Sequence, residues 1–136
     1  MLVTPHWGPN MTAEPVERVR HAARALVQAG ATLVAGHSAH VFQGVAGRAL
    51  FDLGDFLDDY AVHPLLRNDL GLLWIVEVGV GTRQRIRALP LGLDYCFTRR
   101  ASADEADWVA RRLRELCAPF GTSVEPDGGL IEIRPR

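Results

Sequence analysis

One amphipathic helix set between two short apolar runs does most to limit how this chain can fold. Thr12 to Ala29 places Val16, Val19, Ala23, Leu26 and Val27 at helical spacing, with Glu14, Glu17, Arg18, Arg20 and Arg24 on the other faces. Thr12 is the expected N-cap, Pro15 falls in the tolerant first turn, and Gly30 supplies the stop. Ahead of the helix the chain enters almost at once a strand leading to His6. Behind it Thr32 to Ala35 reads as a short buried strand ending at Gly36. The product is a strand, helix, strand unit with histidines directly after each strand: His6 in His6-Trp7-Gly8, and His37 and His40 in Gly36-His37-Ser38-Ala39-His40.

The rest of the chain suits the same α/β class. Val41 to Gln43 is an expected extended segment that turns at Gly44 and Gly47 into a strand from Arg48 to Leu53, and Leu57 to Asp69 reads as loop. Leu72 to Val80 and Arg83 to Leu89 are expected strands joined by a hairpin about Gly79 to Thr82, and Leu91 to Thr98 is a further strand. Ser102-Ala103-Asp104-Glu105 is a capping box that opens a helix to about Ala118, with Val109, Leu113, Leu116 and Cys117 inward and Pro119 and Gly121 ending it. Thr122 to Glu125 and Leu130 to Arg134, joined by Asp127-Gly128-Gly129, read as a closing hairpin.

Composition excludes several chemistries. The 136 residues allow one domain with a real core, and a formal charge of −1 gives no footprint for non-specific nucleic-acid binding. All 15 basic residues are Arg, which removes Lys-based Schiff-base and P-loop chemistry. Cys96 and Cys117 lack metal or redox spacing, and both are expected as small core residues. No signal peptide and no long apolar span is evident, so the chain as given is expected to be soluble. Ser38 lacks a strained nucleophile elbow, so no Ser-His-Asp triad is expected.

His37 and His40, three apart after a strand and a glycine, can converge on one ion or one phosphate, and His6 follows the neighbouring strand. The three make a candidate site for a divalent ion such as zinc, manganese or iron. His21 on the helix flank and His63 beside Pro64 stand outside it. Asp52 and Asp55, flanking Gly54, are at least as well explained by capping and turn formation as by ligation, and Asp69 reads as a turn residue. Trp7 is either the floor of a pocket or core.

Taken in order, His6-Trp7-Gly8, the helix end Gln28-Ala29-Gly30-Ala31, the run Leu33 to Gly44 and Phe51-Asp52-Leu53-Gly54-Asp55-Phe56 resemble the CapA family of capsule and poly-gamma-glutamate biosynthesis proteins. The resemblance implies the C-terminal part of a calcineurin-like metallophosphoesterase α/β/β/α sandwich, with residues 1–136 as a single partial domain. It implies metal ligation by His6, His37 and His40, with His37 and His40 also the candidates for catalysis. Ser38 and Ala39 replace the middle His and the Pro of the family's Gly-His-His-Pro-His-like motif. Asp52 and Asp55 replace the Ser and Asn of its Ser-Leu-Gly-Asn-Phe motif.

The family's Gly-Asp and Asn-Asn-His motifs, which bring acidic and bridging ligands, are absent from this chain. The implied metal centre is therefore incomplete, and a missing N-terminal half, a second polypeptide or a homo-oligomer is the expected partner. The implied function is phosphoester hydrolysis on a phosphoester or polymer-related small molecule. The alternatives are a non-catalytic assembly or binding module for an extracellular polymer, and an inactive gene fragment. Half a sandwich also predicts exposed edge strands and apolar surface that promote dimerisation or aggregation.

Overall fold

The computed structural model describes residues 1–79 and 84–136. The chain is α/β, and its described residues form two sheets and two α-helices. In the first sheet β1 (Leu2–Val3), β2 (Leu33–Ala35) and β4 (Ala49–Leu50) are parallel, and β3 (Val45–Ala46) closes the edge antiparallel to β4. The helix α1 (Glu17–Gln28) connects β1 to β2. Val19 and Ala23 of α1 pack on Val34, Ala49 and Phe51, while Leu33 and Leu50, one residue along each strand, point into a second core. This alternation is what a sheet covered on both faces requires.

The second sheet is antiparallel, with β5 (Leu70–Glu77), β6 (Arg85–Asp94), β9 (Leu130–Arg134) and β8 (Ser123–Asp127) in that order, and β7 (Phe97–Arg100) pairs with the far end of β6. Leu72, Ile86, Ala88, Ile131 and Ile133 share one core with Leu33 and Leu50 of the first sheet and with Val109, Leu113, Leu116 and Cys117 of α2 (Ala103–Cys117). Burying each of the Leu, Ile and Val side chains among them contributes roughly 1.5–3 kcal/mol. The opposite face of the second sheet carries the ion pairs Arg87–Glu77 and Arg85–Glu132.

Several boundaries differ from the sequence expectation. The first helix begins at Glu17, not just after Thr12, because Pro15 disfavours helical backbone at Glu14. Thr12 does not cap it: its hydroxyl donates to the Pro9 carbonyl, and Val16 stands at the N-cap without a side-chain bond. Arg85 to Asp94 is one strand, where two had been expected on either side of Pro90. The Pro90 carbonyl points away from β5 and accepts from Ala101 N–H, so the missing proline donor removes no bond to β5. The strand expected through Thr98 instead turns at Cys96, whose φ is +53°, and Cys96 is exposed rather than in the core.

The β5–β6 pairing runs from Leu70↔Gly92 to Glu77↔Arg85, and residues 80–83, where most of the expected turn and the strand ends at Val80 and Arg83 fall, lie outside the described residues. The Gly128-Gly129 hairpin and the buried Cys117 are as expected. The capping box is also present: Ser102 N–H donates to Glu105 at 2.7 Å and the Ser102 hydroxyl accepts from Glu105 N–H.

Arg99 adds two bonds to the Glu105 carboxylate, at 2.7 and 2.8 Å. This pairing, with the Ser102 backbone donor, lowers the Glu105 carboxyl from 4.5 to about 2. A carboxylate depressed in the folded state contributes stability that is present above pH 4.5 and lost as pH falls toward about 2. Glu105→Gln is expected to flatten that part of the acid-unfolding curve, as followed by circular dichroism; an unchanged acid limb would show that the pair contributes nothing.

Candidate functional site

The parallel register of β1 and β2 continues past both strands as a bridge between His6 and His37. His37 N–H donates to the Pro5 carbonyl at 3.1 Å, and Trp7 N–H donates to the His37 carbonyl at 3.0 Å. The two imidazoles are thereby forced side by side, Nδ1 to Nδ1 at 3.1 Å, with both residues exposed. Gly36 is required behind them: a Cβ there would collide with the Phe51 carbonyl and the Trp7 indole, which are hydrogen-bonded to each other at 2.9 Å. Trp7 is half-buried against the core that Val19, Ala23, Val34 and Phe51 form, the core reading of the two.

His40 does not join the pair. Its Nδ1 lies 2.9 and 3.1 Å from the two carboxylate oxygens of Asp55, and its ring meets Tyr60 edge-on with centroids 5.2 Å apart. The loop between the histidines is held in backbone that side chains rarely adopt, with φ of +137° at Ser38 and +62° at His40. Ser38 spends its hydroxyl on the carbonyls of Trp7 and Gly8, which suits its exclusion as a nucleophile.

What secures this loop is Asp52, buried at 2% exposure. One carboxylate oxygen accepts from Ala39 N–H at 2.8 Å and the other from Gly54 N–H at 3.0 Å. Gly54 has φ of +74° against the backbone of Phe42, so the turn that delivers Asp55 tolerates no side chain there. Asp52 is therefore a clasp between the two loops. Burial pushes its carboxyl above the usual 3.8, with the Ala39 and Gly54 donors offsetting part of the rise. Asp55 is also raised, by burial first and against the opposing pull of His40.

His21 is exposed on α1, and the His63 ring accepts from the Leu65 and Leu66 N–H groups as a local cap, so both stand outside the site. Asp69 pairs with Arg67. Tyr60 and the buried Asp58, which accepts from Asn68 and from Tyr60 N–H, sit beside His40 and Asp55 and were not singled out as site residues. The stretch that carries them has no regular period, and only the local density of Asp hinted at a shared role.

The fit to a divalent ion is partial. Two nitrogens each roughly 2.0–2.1 Å from one ion stand about 3 Å apart in neighbouring positions, so the His6–His37 pair suits two places in a metal shell. Among the described residues no three His, Cys, Asp or Glu side chains converge closely enough to hold an ion.

The architecture is thus an α/β chain with paired imidazoles at adjacent parallel strand ends. Residues 1–60 match the family model described as bacterial capsule synthesis protein PGA_cap. Over 98% of its length the chain is 29% identical to the probable polyglutamine synthesis accessory proteins of two strains of Mycobacterium tuberculosis, and it spans 38% of those relatives. It is 36% identical over 63 residues to the PGA biosynthesis protein CapA of Bacillus subtilis, covering 43% of this chain and 17% of that one. These matches support a likeness to the CapA family, carried most directly by residues 1–60. No helix among the described residues is long and apolar enough to cross a membrane.

Asp52→Asn keeps one acceptor and leaves one buried N–H without a partner, with an expected loss of about 1–3 kcal/mol in urea unfolding at neutral pH. A stability unchanged within error would show that the clasp is dispensable. Because the folded Asp52 carboxyl is raised, its contribution is full below pH 3.8 and declines as pH rises through the folded value, opposite in sign to Glu105.

Proposed function

We propose that this chain serves capsule or poly-gamma-glutamate synthesis as part of a metal-dependent phosphoesterase, with His6 and His37 as two of the metal ligands and the remaining ligands supplied from outside the chain. The observation that carries this reading is the 3.1 Å approach of the two Nδ1 atoms across a parallel strand pair. The CapA relatives and the family match supply the biological setting.

A divalent ion bound there would supply Lewis-acid polarisation of a phosphoester. The chain's own groups do the rest. Backbone bonds fix the main chain at His6 and His37, so that only the side chains need ordering on binding. His40 stands apart from the ligand pair as the proton donor: as imidazolium it gives Nδ1–H to Asp55 and keeps Nε2–H for a leaving-group oxygen. This role keeps His40 as the candidate for catalysis and leaves it out of the ligand set that the resemblance implies.

The test is metal content after equilibration with Mn²⁺ or Zn²⁺, together with turnover of bis(4-nitrophenyl) phosphate. His6→Ala and His37→Ala are each expected to lower metal affinity at least about tenfold, whereas His40→Ala lowers turnover and leaves metal affinity intact. Equal metal uptake by all three variants would overturn the ligand assignment. The absence of a third converging donor among the described residues favours one other reading, a non-catalytic assembly module, for which a folded chain would take up no metal and still restore polymer formation.

A further inference from the structure

Behind the histidine corner, between α1 and the first sheet, lies a cavity of about 410 Å³. Arg20 and Arg24, one turn apart on α1, line one wall, Arg48 in the β3–β4 turn lines another, and Ala23, Phe51 and Phe120 make an apolar floor. The two phenyl rings meet with centroids 5.0 Å apart. No carboxylate lines the cavity.

None of these three guanidinium groups has an ion-pair or hydrogen-bond partner among the described residues, although Arg67, Arg85, Arg87 and Arg99 each have one. The nearest acid on the same helix, Glu17, faces His21. Like charges four apart on a helix repel, so Arg20 and Arg24 are a cost to the empty helix that an anion would relieve. In a chain whose formal charge is −1, three uncompensated cations around one apolar hollow form a local excess with a defined shape.

The lining decides among anions. A bare phosphate would meet the guanidinium groups and leave the phenyl floor uncovered. A fatty acid would cover the floor and offer one charge to three arginines. A chain that alternates carboxylates with short aliphatic stems satisfies both, since each arginine can take a carboxylate in a two-bond fork while the methylenes lie on Phe51 and Phe120.

We propose that this cavity binds an acidic peptide, its carboxylates on Arg20, Arg24 and Arg48 and its aliphatic stems on the phenyl floor. The choice of a glutamyl chain as probe rests on the functional reading above, whereas the charge and shape argument stands without it. The Phe51 carbonyl that accepts from the Trp7 indole belongs to the same residue that floors the cavity, so the cavity and the segment after β1 share one hydrogen-bonded residue.

The test is fluorescence anisotropy of a labelled oligo-γ-glutamate with the intact chain at low and high salt. Saturable binding is expected that weakens with added salt, and Arg24→Ala combined with Arg48→Ala should weaken it at least about tenfold. Both positions are exposed, so the double variant should melt like the parent and keep its metal affinity. Peptide binding equal in parent and double variant, or displacement by inorganic phosphate as effective as by unlabelled peptide, would overturn the proposal. Metal uptake through His6 and His37 without peptide binding overturns this inference and leaves the functional reading in place. Peptide binding by a chain that takes no metal does the reverse.

Discussion

Asp52 spends each of its carboxylate oxygens on the backbone of a different loop, Ala39 on one side and Gly54 on the other. A carboxylate this deeply buried is costly unless it is well bonded, and the return is geometric. One bond holds the loop in which Ser38 and His40 sit at positive φ; the other holds the turn that brings Asp55 to the His40 ring. With the bonds from Met11 N–H to the Ala39 carbonyl and from Leu53 N–H to the Gly36 carbonyl, the clasp fixes the spacing between the His6–His37 pair and the His40–Asp55 pair.

The parallel strands provide the other half of the frame. β1 and β2 are only two and three residues long, yet their pairing runs on to the His6–His37 bridge, and Gly36 leaves room for the Trp7 indole to donate to the Phe51 carbonyl. The Trp7–Phe51 contact separates two different surfaces. On one side, at the C-terminal ends of β1 and β2, stand imidazoles. On the other, where α1 covers the sheet and the β3–β4 turn begins β4, stand arginines with an apolar floor. A basic, partly apolar hollow on the same small sheet as the proposed ligand pair is the arrangement expected if a charged polymer is held while a small group is acted upon.

Much of this was legible in the residues. Ser102 and Glu105 at capping-box spacing, and Gly128-Gly129 between alternating apolar residues, are local signals in which chemistry and geometry coincide, and the structure follows both. The strand-helix-strand unit and the placement of His6 and His37 were readable for the same reason. The errors fall where tertiary context decides. Thr12 looks like a cap until Pro15 forbids helix before it, and Pro90 looks like a strand break until its carbonyl proves to face β7, away from β5. His40 lies three residues from His37, but a left-handed backbone turns it toward Asp55, a partner fifteen positions away that spacing alone does not reveal. The Arg48 wall of the cavity was equally hidden, since nothing in sequence ties that turn to Arg20 and Arg24.

The central claim is that His6 and His37 act as one ligand pair and His40 does not belong to it. Imidazole nitrogen chemical shifts during a Zn²⁺ titration of the ¹⁵N-labelled chain test this most directly. The account predicts that His6 and His37 move together and saturate at a single ion per chain, while His40, His21 and His63 hold their positions. A His40 signal that moves in step with either, or a His6 signal that stays still while His37 moves, would contradict it.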